Sequence, residues 1–175
     1  MLRNLVIFDV DETLVHATNR RLVYPPSFEH PPYFVYQRPF VHELLTATTP
    51  YYDFAVWSSS SKEYVDDVVL NVFGVEFPLV FAWAVDRCVQ RVHIPSNGYV
   101  YIKDLRKVQC HGYSVDRITI VDDSPEKIAR QPKNLLPIKP YFGQTNDREL
   151  LAIADALIRK AVLPDDRLAE QRNEA

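Results

Sequence analysis

The sequence predicts an α/β fold, a central parallel sheet flanked by helices, and three observations carry that reading. Two runs, residues 5–8 and 117–121, have the character of strands buried on both faces, and each runs straight into a pair of acids. Segments of helical period, above all residues 64–73, alternate with such runs. Strands that alternate with helices are joined by crossovers and lie parallel, so the acids at their C-terminal ends converge on one edge of the sheet.

In chain order, Asp9 and Asp11 follow the first strand with one residue between them, and Thr13 and Leu14 turn the chain away. Residues 16–36 hold Pro25, Pro26, Pro31 and Pro32, which exclude a helix. Two extended pieces, 22–24 and 33–36, are expected to pair there as a small flap. Pro39 suits the first position of a helix whose apolar face is Phe40, Val41, Leu44 and Leu45. Residues 53–57 form the next strand and end in Ser58, Ser59, Ser60 and Ser61. Ser60 and Glu63 have capping-box spacing for the helix that follows, whose face is Tyr64, Val65, Val68, Val69, Val72 and Phe73 and which Gly74 stops.

Residues 79–81 read as a strand, and Asn97-Gly98 is a turn signal before a further strand at 99–102. After the strand at 117–121 come Asp122 and Asp123, then Ser124 as helix cap with Pro125 as first helical residue. Residues 135–138 predict a short last strand. Asn146-Asp147-Arg148-Glu149 opens a final helix that buries Leu150, Ile153, Ala154, Leu157 and Ile158 and stops at Pro164. A single domain over residues 1–160 is expected, with 161–175 as a polar tail.

Composition narrows the function classes. The chain has 175 residues, 47% hydrophobic and 25% charged, which is ordinary for a globular protein. A net charge of −3 favours neither nucleic acid nor an anionic membrane as partner. No apolar run reaches the length of a membrane span, and the first strand starts too close to Met1 for a leader. Cys88 and Cys110 lack redox or metal spacing, so a reducing, intracellular setting and a soluble monomer are expected. The five histidines are scattered and read as packing or surface residues.

Buried carboxylates are costly unless paired or bound to a cation, so a strand that delivers Asp9 and Asp11 together implies a use for them. The run Asp-Val-Asp-Glu-Thr-Leu behind an apolar strand resembles the first motif of the haloacid-dehalogenase superfamily. That resemblance implies Asp9 as nucleophile and Asp11 as general acid/base, with the Asp11 carbonyl on a metal. Cleaving a phosphate ester through an enzyme carboxylate also needs hydroxyl donors, a fixed positive charge and a hard cation such as Mg²⁺. Ser58 and Ser59 at a strand end are candidate phosphate ligands, Lys103 the candidate charge, and Asp122 and Asp123 the completing acids of the metal site. Singly, such a serine is a turn residue and such a lysine a solvated charge. The weight lies in all four motifs occurring in this order, each at a strand end.

Asp-Val-Asp-Glu-Thr-Leu-Val-His, Trp-Ser-Ser-Ser, Tyr-Ile-Lys-Asp-Leu and Val-Asp-Asp-Ser-Pro together resemble the FCP/SCP-like (NLI-interacting-factor-like) phosphatase branch of that superfamily. The likeness spans roughly residues 4–158. It implies a Rossmann-like fold with a flap insert and no cap domain, Mg²⁺ as cofactor, and phosphoserine or phosphothreonine proteins as substrates. Two positions depart from the branch: Ser58 stands where it often has Thr, and Asp123 where it usually has a metal-binding Asn. On the branch pattern Asp123, more than Asp122, is the metal ligand. The flap and the 82–98 segment diverge most, and Tyr24, Phe28, Tyr33 and Trp83 between them are candidates to line a peptide groove. The competing readings are a capless small-molecule phosphatase and a non-catalytic binding module of the same fold.

Overall fold

A computed structural model describes residues 3–93 and 98–163. Five strands, β1 (Asn4–Phe8), β5 (Tyr52–Trp57), β6 (Leu79–Trp83), β9 (Ile118–Asp122) and β10 (Leu135–Pro137), form one sheet in the order β10-β9-β1-β5-β6. Every pairing in it is parallel. The expected α/β architecture is therefore present, and β1 lies at its centre.

The strands are largely apolar because both faces are covered. Val6, Phe8, Phe54, Val56 and Val121 face a core closed by three helices, α1 (Val41–Thr48), α2 (Lys62–Val72) and α3 (Glu149–Val162). Leu5, Ile7, Ala55, Trp57, Ile118 and Ile120 face the other way, onto Leu105 and Val108 of a 3-10 helix (Leu105–His111) and onto Phe81 and Trp83. Trp83 packs edge-on to Trp57 and stacks on Phe81 at 4.1 Å between ring centroids.

Two small antiparallel sheets stand on the C-terminal edge. The first is the flap, β2 (Val15–Thr18), β3 (Phe28–His30) and β4 (Tyr33–Gln37), in the order β2-β4-β3. Residues 33–36 are a strand as expected, but 22–24 are not. Strand β2 pairs with β4 instead, directly continuing the turn after Asp11, while the Leu22 N–H is held by the Tyr36 hydroxyl at 2.8 Å. The second small sheet pairs β7 (Val89–His93) with β8 (Gly98–Ile102). The expected turn residue Asn97 lies outside the described residues, as do Pro164 and the tail from 164 onward.

Three helix starts differ from expectation. Pro39 precedes the cap of α1 rather than opening the helix: Phe40 caps it from a left-handed backbone (φ 69°). Ser61, not Ser60, caps α2, accepting from the Tyr64 N–H at 3.4 Å. Ser60 is taken up elsewhere, as described below. Ser124 makes no side-chain cap to the 3-10 turn Pro125–Ile128, and its hydroxyl donates to Asp123 instead.

Arg38 ties the flap to the sheet. Its side chain is wholly buried and its guanidinium takes both oxygens of Asp147, at 2.8 and 2.9 Å. It also donates to the carbonyls of Glu12 and Thr13, at 3.3 and 3.2 Å. A buried charge of this kind is tolerable because its donors are matched in bidentate geometry.

Candidate active site

Register brings the sequence-predicted residues together. Phe8 lies opposite both Val56 and Val121, so Asp9, Ser58 and Asp122 leave neighbouring strands at one edge. The Asp9 N–H extends the pairing, donating to the Val121 carbonyl at 2.9 Å. Lys103 arrives from the other side, one residue beyond β8, with its own N–H fixed to the Lys127 carbonyl at 2.8 Å.

The centre is a compact charge cluster. The Lys103 ammonium, fully buried, donates to Asp9 Oδ1 at 2.7 Å and to Asp122 Oδ2 at 2.6 Å. A second lysine, Lys127, donates to Asp9 Oδ2 at 3.3 Å and stands 4.0 Å from Asp122 Oδ1. Burial alone would raise the Asp9 pKa, but the charges of Lys103 and Lys127 and the hydrogen bonds from Lys103 and the Val10 N–H outweigh it and hold Asp9 below the ordinary carboxylate range. Asp122, equally buried and facing the Asp9 charge, is pushed up to about 6. Its Oδ1 accepts from the Ser124 N–H at 2.9 Å. Burial would also lower the Lys127 pKa, yet Asp9, Asp122 and Asp123 reverse that and keep its ammonium charged.

Asp11 has the opposite surroundings. Its carboxylate accepts from the Tyr64 hydroxyl at 2.6 Å and the Ser60 hydroxyl at 2.7 Å. Burial raises its pKa, and those two hydrogen bonds only partly offset the rise. The next residue, Glu12, sits at a positive φ of 57°. It is pushed up to about 7 by burial and by the neighbouring charges of Asp11, Asp123 and Asp9. Asp9 and Asp11, with one residue between them, thus differ in protonation tendency, an arrangement that suits two carboxylates with separate tasks.

Asp9, Asp122 and Asp123 each offer one oxygen within 4.8 Å of the others. Three hard oxygen donors at such spacing suit an octahedral Mg²⁺ shell, whose opposite oxygens lie about 4 Å apart. The Asp11 side chain points instead to Ser60 and Tyr64, so any metal bond from this residue falls to its backbone carbonyl. Ser58 is buried and its Oγ accepts from the Ser60 N–H at 3.0 Å, which leaves its own proton to donate. Ser59 is half-buried beside it.

The cleft beside Asp11 encloses about 460 Å³ and is lined by Asp11, Glu12, Ala17, His30, Tyr33, Ser60, Ser61 and Tyr64. It therefore runs between the flap and α2, not between the flap and the 82–98 segment. Of the four expected groove aromatics only Tyr33 lines it. Trp83 is core, Phe28 packs against the core, and the Tyr24 hydroxyl is spent on the Gly143 carbonyl. His30, read from sequence as a packing residue, also lines this wall, paired with Asp67 at 2.6 Å and edge-on to Tyr64.

A family model for NLI interacting factor-like phosphatases matches residues 4–167. The chain belongs to that family. It is 32% identical over 181 residues to a probable C-terminal domain small phosphatase of Dictyostelium discoideum, covering 98% of this chain and 56% of the relative. It is 29% identical over 189 residues to CTD nuclear envelope phosphatase 1 of Xenopus tropicalis, covering 98% and 72%. CTD small phosphatase-like protein 2 of D. discoideum matches at 28% over 159 residues, 87% of this chain but 26% of that one. The chain thus spans about a quarter of one of these relatives and little over half of another. Among solved structures, Fcp1, an essential RNA polymerase II CTD phosphatase, superposes with a TM-score of 0.60 at 19% identity, covering 98% of this chain and 53% of that chain. Its likeness shows the shared fold. Among the described residues no helix is long and apolar enough to cross a membrane.

Sequence reasoning missed Lys127, Ser60 and Tyr64. Lys127 had a usable signal: the Ser-Pro after Asp122-Asp123 predicts a tight turn, and the 3-10 geometry, with the Lys127 N–H on the Ser124 carbonyl at 3.0 Å, folds the lysine back toward the strand end. Tyr64 had none, because its position also fits the apolar face of α2.

Proposed function

We propose that this family member is a Mg²⁺-dependent phosphomonoesterase that works through an aspartyl-phosphate on Asp9 and acts on phosphoserine or phosphothreonine in proteins. The observation that carries it is Asp9 itself, a carboxylate buried at a strand end between two ammonium groups, with Asp11 on the cleft side two residues on. An Asp9 oxygen bonds to phosphorus as the ester P–O bond breaks, and the Asp11 proton passes to the departing oxygen. Water then gives its proton to Asp11 and attacks phosphorus, which frees Asp9 and releases phosphate. Lys103 and the Ser58 and Ser59 groups hold phosphoryl oxygens as charge develops on them. A bound Mg²⁺, held by Asp9, Asp123 and the Asp11 carbonyl, would neutralise part of that charge. Asp122 holds Lys103 and the turn at Ser124, and is the lesser metal ligand.

A protein substrate is supported by the relatives, several of which are named as CTD phosphatases, and by the open cleft walled by Tyr33, His30 and Tyr64. The test is a panel of phosphoserine and phosphothreonine peptides, phosphosugars and nucleotides assayed with Mg²⁺. Peptides are expected to have the highest kcat/KM. The reverse ranking would assign the site to small metabolites, and no Mg²⁺-dependent turnover of any phosphomonoester would return the domain to a binding role.

The Asp123 assignment has its own check. Asp123→Asn keeps an oxygen ligand but removes a charge, so it is expected to need on the order of tenfold more Mg²⁺ while retaining substantial turnover at saturating metal. A shifted Mg²⁺ requirement in Asp122→Asn alone would move the ligand to Asp122.

A further inference from the structure

Lys103 and Lys127 both bridge Asp9 and Asp122, but through different oxygens and with different freedom. Lys103 holds Asp9 Oδ1 and Asp122 Oδ2 at 2.7 and 2.6 Å, and none of its side chain is exposed. Lys127 faces Asp9 Oδ2 and Asp122 Oδ1 at 3.3 and 4.0 Å, and 19% of its side chain is open to solvent. For a cation entering among Asp9, Asp122 and Asp123, the Asp9 oxygen that Lys103 leaves free is Oδ2, which is the oxygen Lys127 faces. The charge count points the same way. With both lysines in place, three acids keep a single negative charge between them, a poor site for a hard divalent ion beside two ammonium groups.

Resting on the phosphatase reading for the metal site itself, we propose that Lys127 is a built-in counter-ion of that site. Its ammonium neutralises the acids in the metal-free protein, and a divalent cation binds by displacing it from Asp9 Oδ2 toward the solvent side. Lys103, with shorter contacts and no exposed surface, stays. Lys127 therefore sets how tightly the metal binds: it is a positioning residue for the cation.

Calorimetric titration of the metal-free protein with Mg²⁺ and Mn²⁺, without substrate, tests this. Lys127→Gln is expected to bind either ion at least tenfold more tightly than wild type, and Lys127→Arg, which restores the charge, to return to weaker binding. Unchanged or weaker binding by Lys127→Gln overturns the proposal, as does a failure of any variant to bind metal. A second measurement uses the unmodified chain: acetylation by an amine-reactive reagent, followed by peptide mass analysis. Lys127 labelling is expected to rise on adding Mg²⁺ while Lys103 stays protected; labelling of Lys127 that does not rise overturns displacement. Turnover with a metal affinity indifferent to Lys127 would remove this inference and leave the phosphatase reading standing. Metal-displaced Lys127 in a protein that turns over no phosphomonoester would do the reverse.

Discussion

Asp9→Asn is expected to fold normally and to lose phosphomonoesterase turnover by on the order of 10⁴-fold or more, the scale typical of removing a nucleophile. Asn matches Asp in shape, and the backbone N–H of residue 9 keeps its bond to the Val121 carbonyl at 2.9 Å. Lys103 retains Asp122 at 2.6 Å, so the loss of one carboxylate does not leave it unpaired in the core. An amide oxygen, however, does not displace an alkoxide from phosphorus. Initial rates on an aryl phosphate, with circular dichroism as the fold control, measure the loss. Beryllium fluoride with Mg²⁺ should bind the wild type at Asp9, and fluorine NMR should show that signal vanish in the variant. Turnover within tenfold of wild type would mean that the nucleophile is another group.

Asp11→Asn is expected to slow hydrolysis of alkyl phosphates by about 10²–10⁴-fold, the usual worth of a positioned general acid/base. The sign of the pH dependence follows from its surroundings. Burial raises the Asp11 pKa despite the Tyr64 and Ser60 hydrogen bonds, so the carboxyl keeps its proton to higher pH than an ordinary aspartate. The acid form is the one that protonates the leaving oxygen, so wild-type kcat/KM should fall as pH rises through that pKa. In Asp11→Asn, with nothing there to titrate, this limb should be absent. Leaving groups that are themselves acidic need little protonation, and the deficit on nitrophenyl phosphate should shrink accordingly. An unaltered pH profile in the variant would place the acid elsewhere.

The framework of the sheet was legible because its strands are apolar on both faces and end abruptly in charge. Residues 5–8, 53–57 and 117–121 each lie within a residue of the strand they predict. The flap was harder to read. Residues 22–24 have a strand's composition, but the strand that pairs is Val15–Thr18, where His16 and Thr18 dilute the apolar signal. Helix starts slipped for a related reason. In a run of four serines any one has the chemistry of a cap, and only the fold decides that Ser61 caps α2 while Ser60 serves Asp11. The candidate nucleophile, acid and first lysine were visible as motifs; Lys127 had only the Ser-Pro turn signal, and Tyr64 enters the site by geometry alone. Trp83 is the converse case, an aromatic beside the expected groove that the second core absorbs.

Arg38 gives the loop after Asp11 a distant dependency. The carbonyls of Glu12 and Thr13 hang from its guanidinium, and the opposite end of that guanidinium is anchored on Asp147. Asp147 in turn accepts from the Glu149 N–H at 3.1 Å, at the first turn of α3. Release of Asp147 would leave Arg38 without its counter-charge and the peptide planes that follow Asp11 without their suspension. The position of the peptide planes after Asp11 is thus tied to a helix more than a hundred residues along the chain.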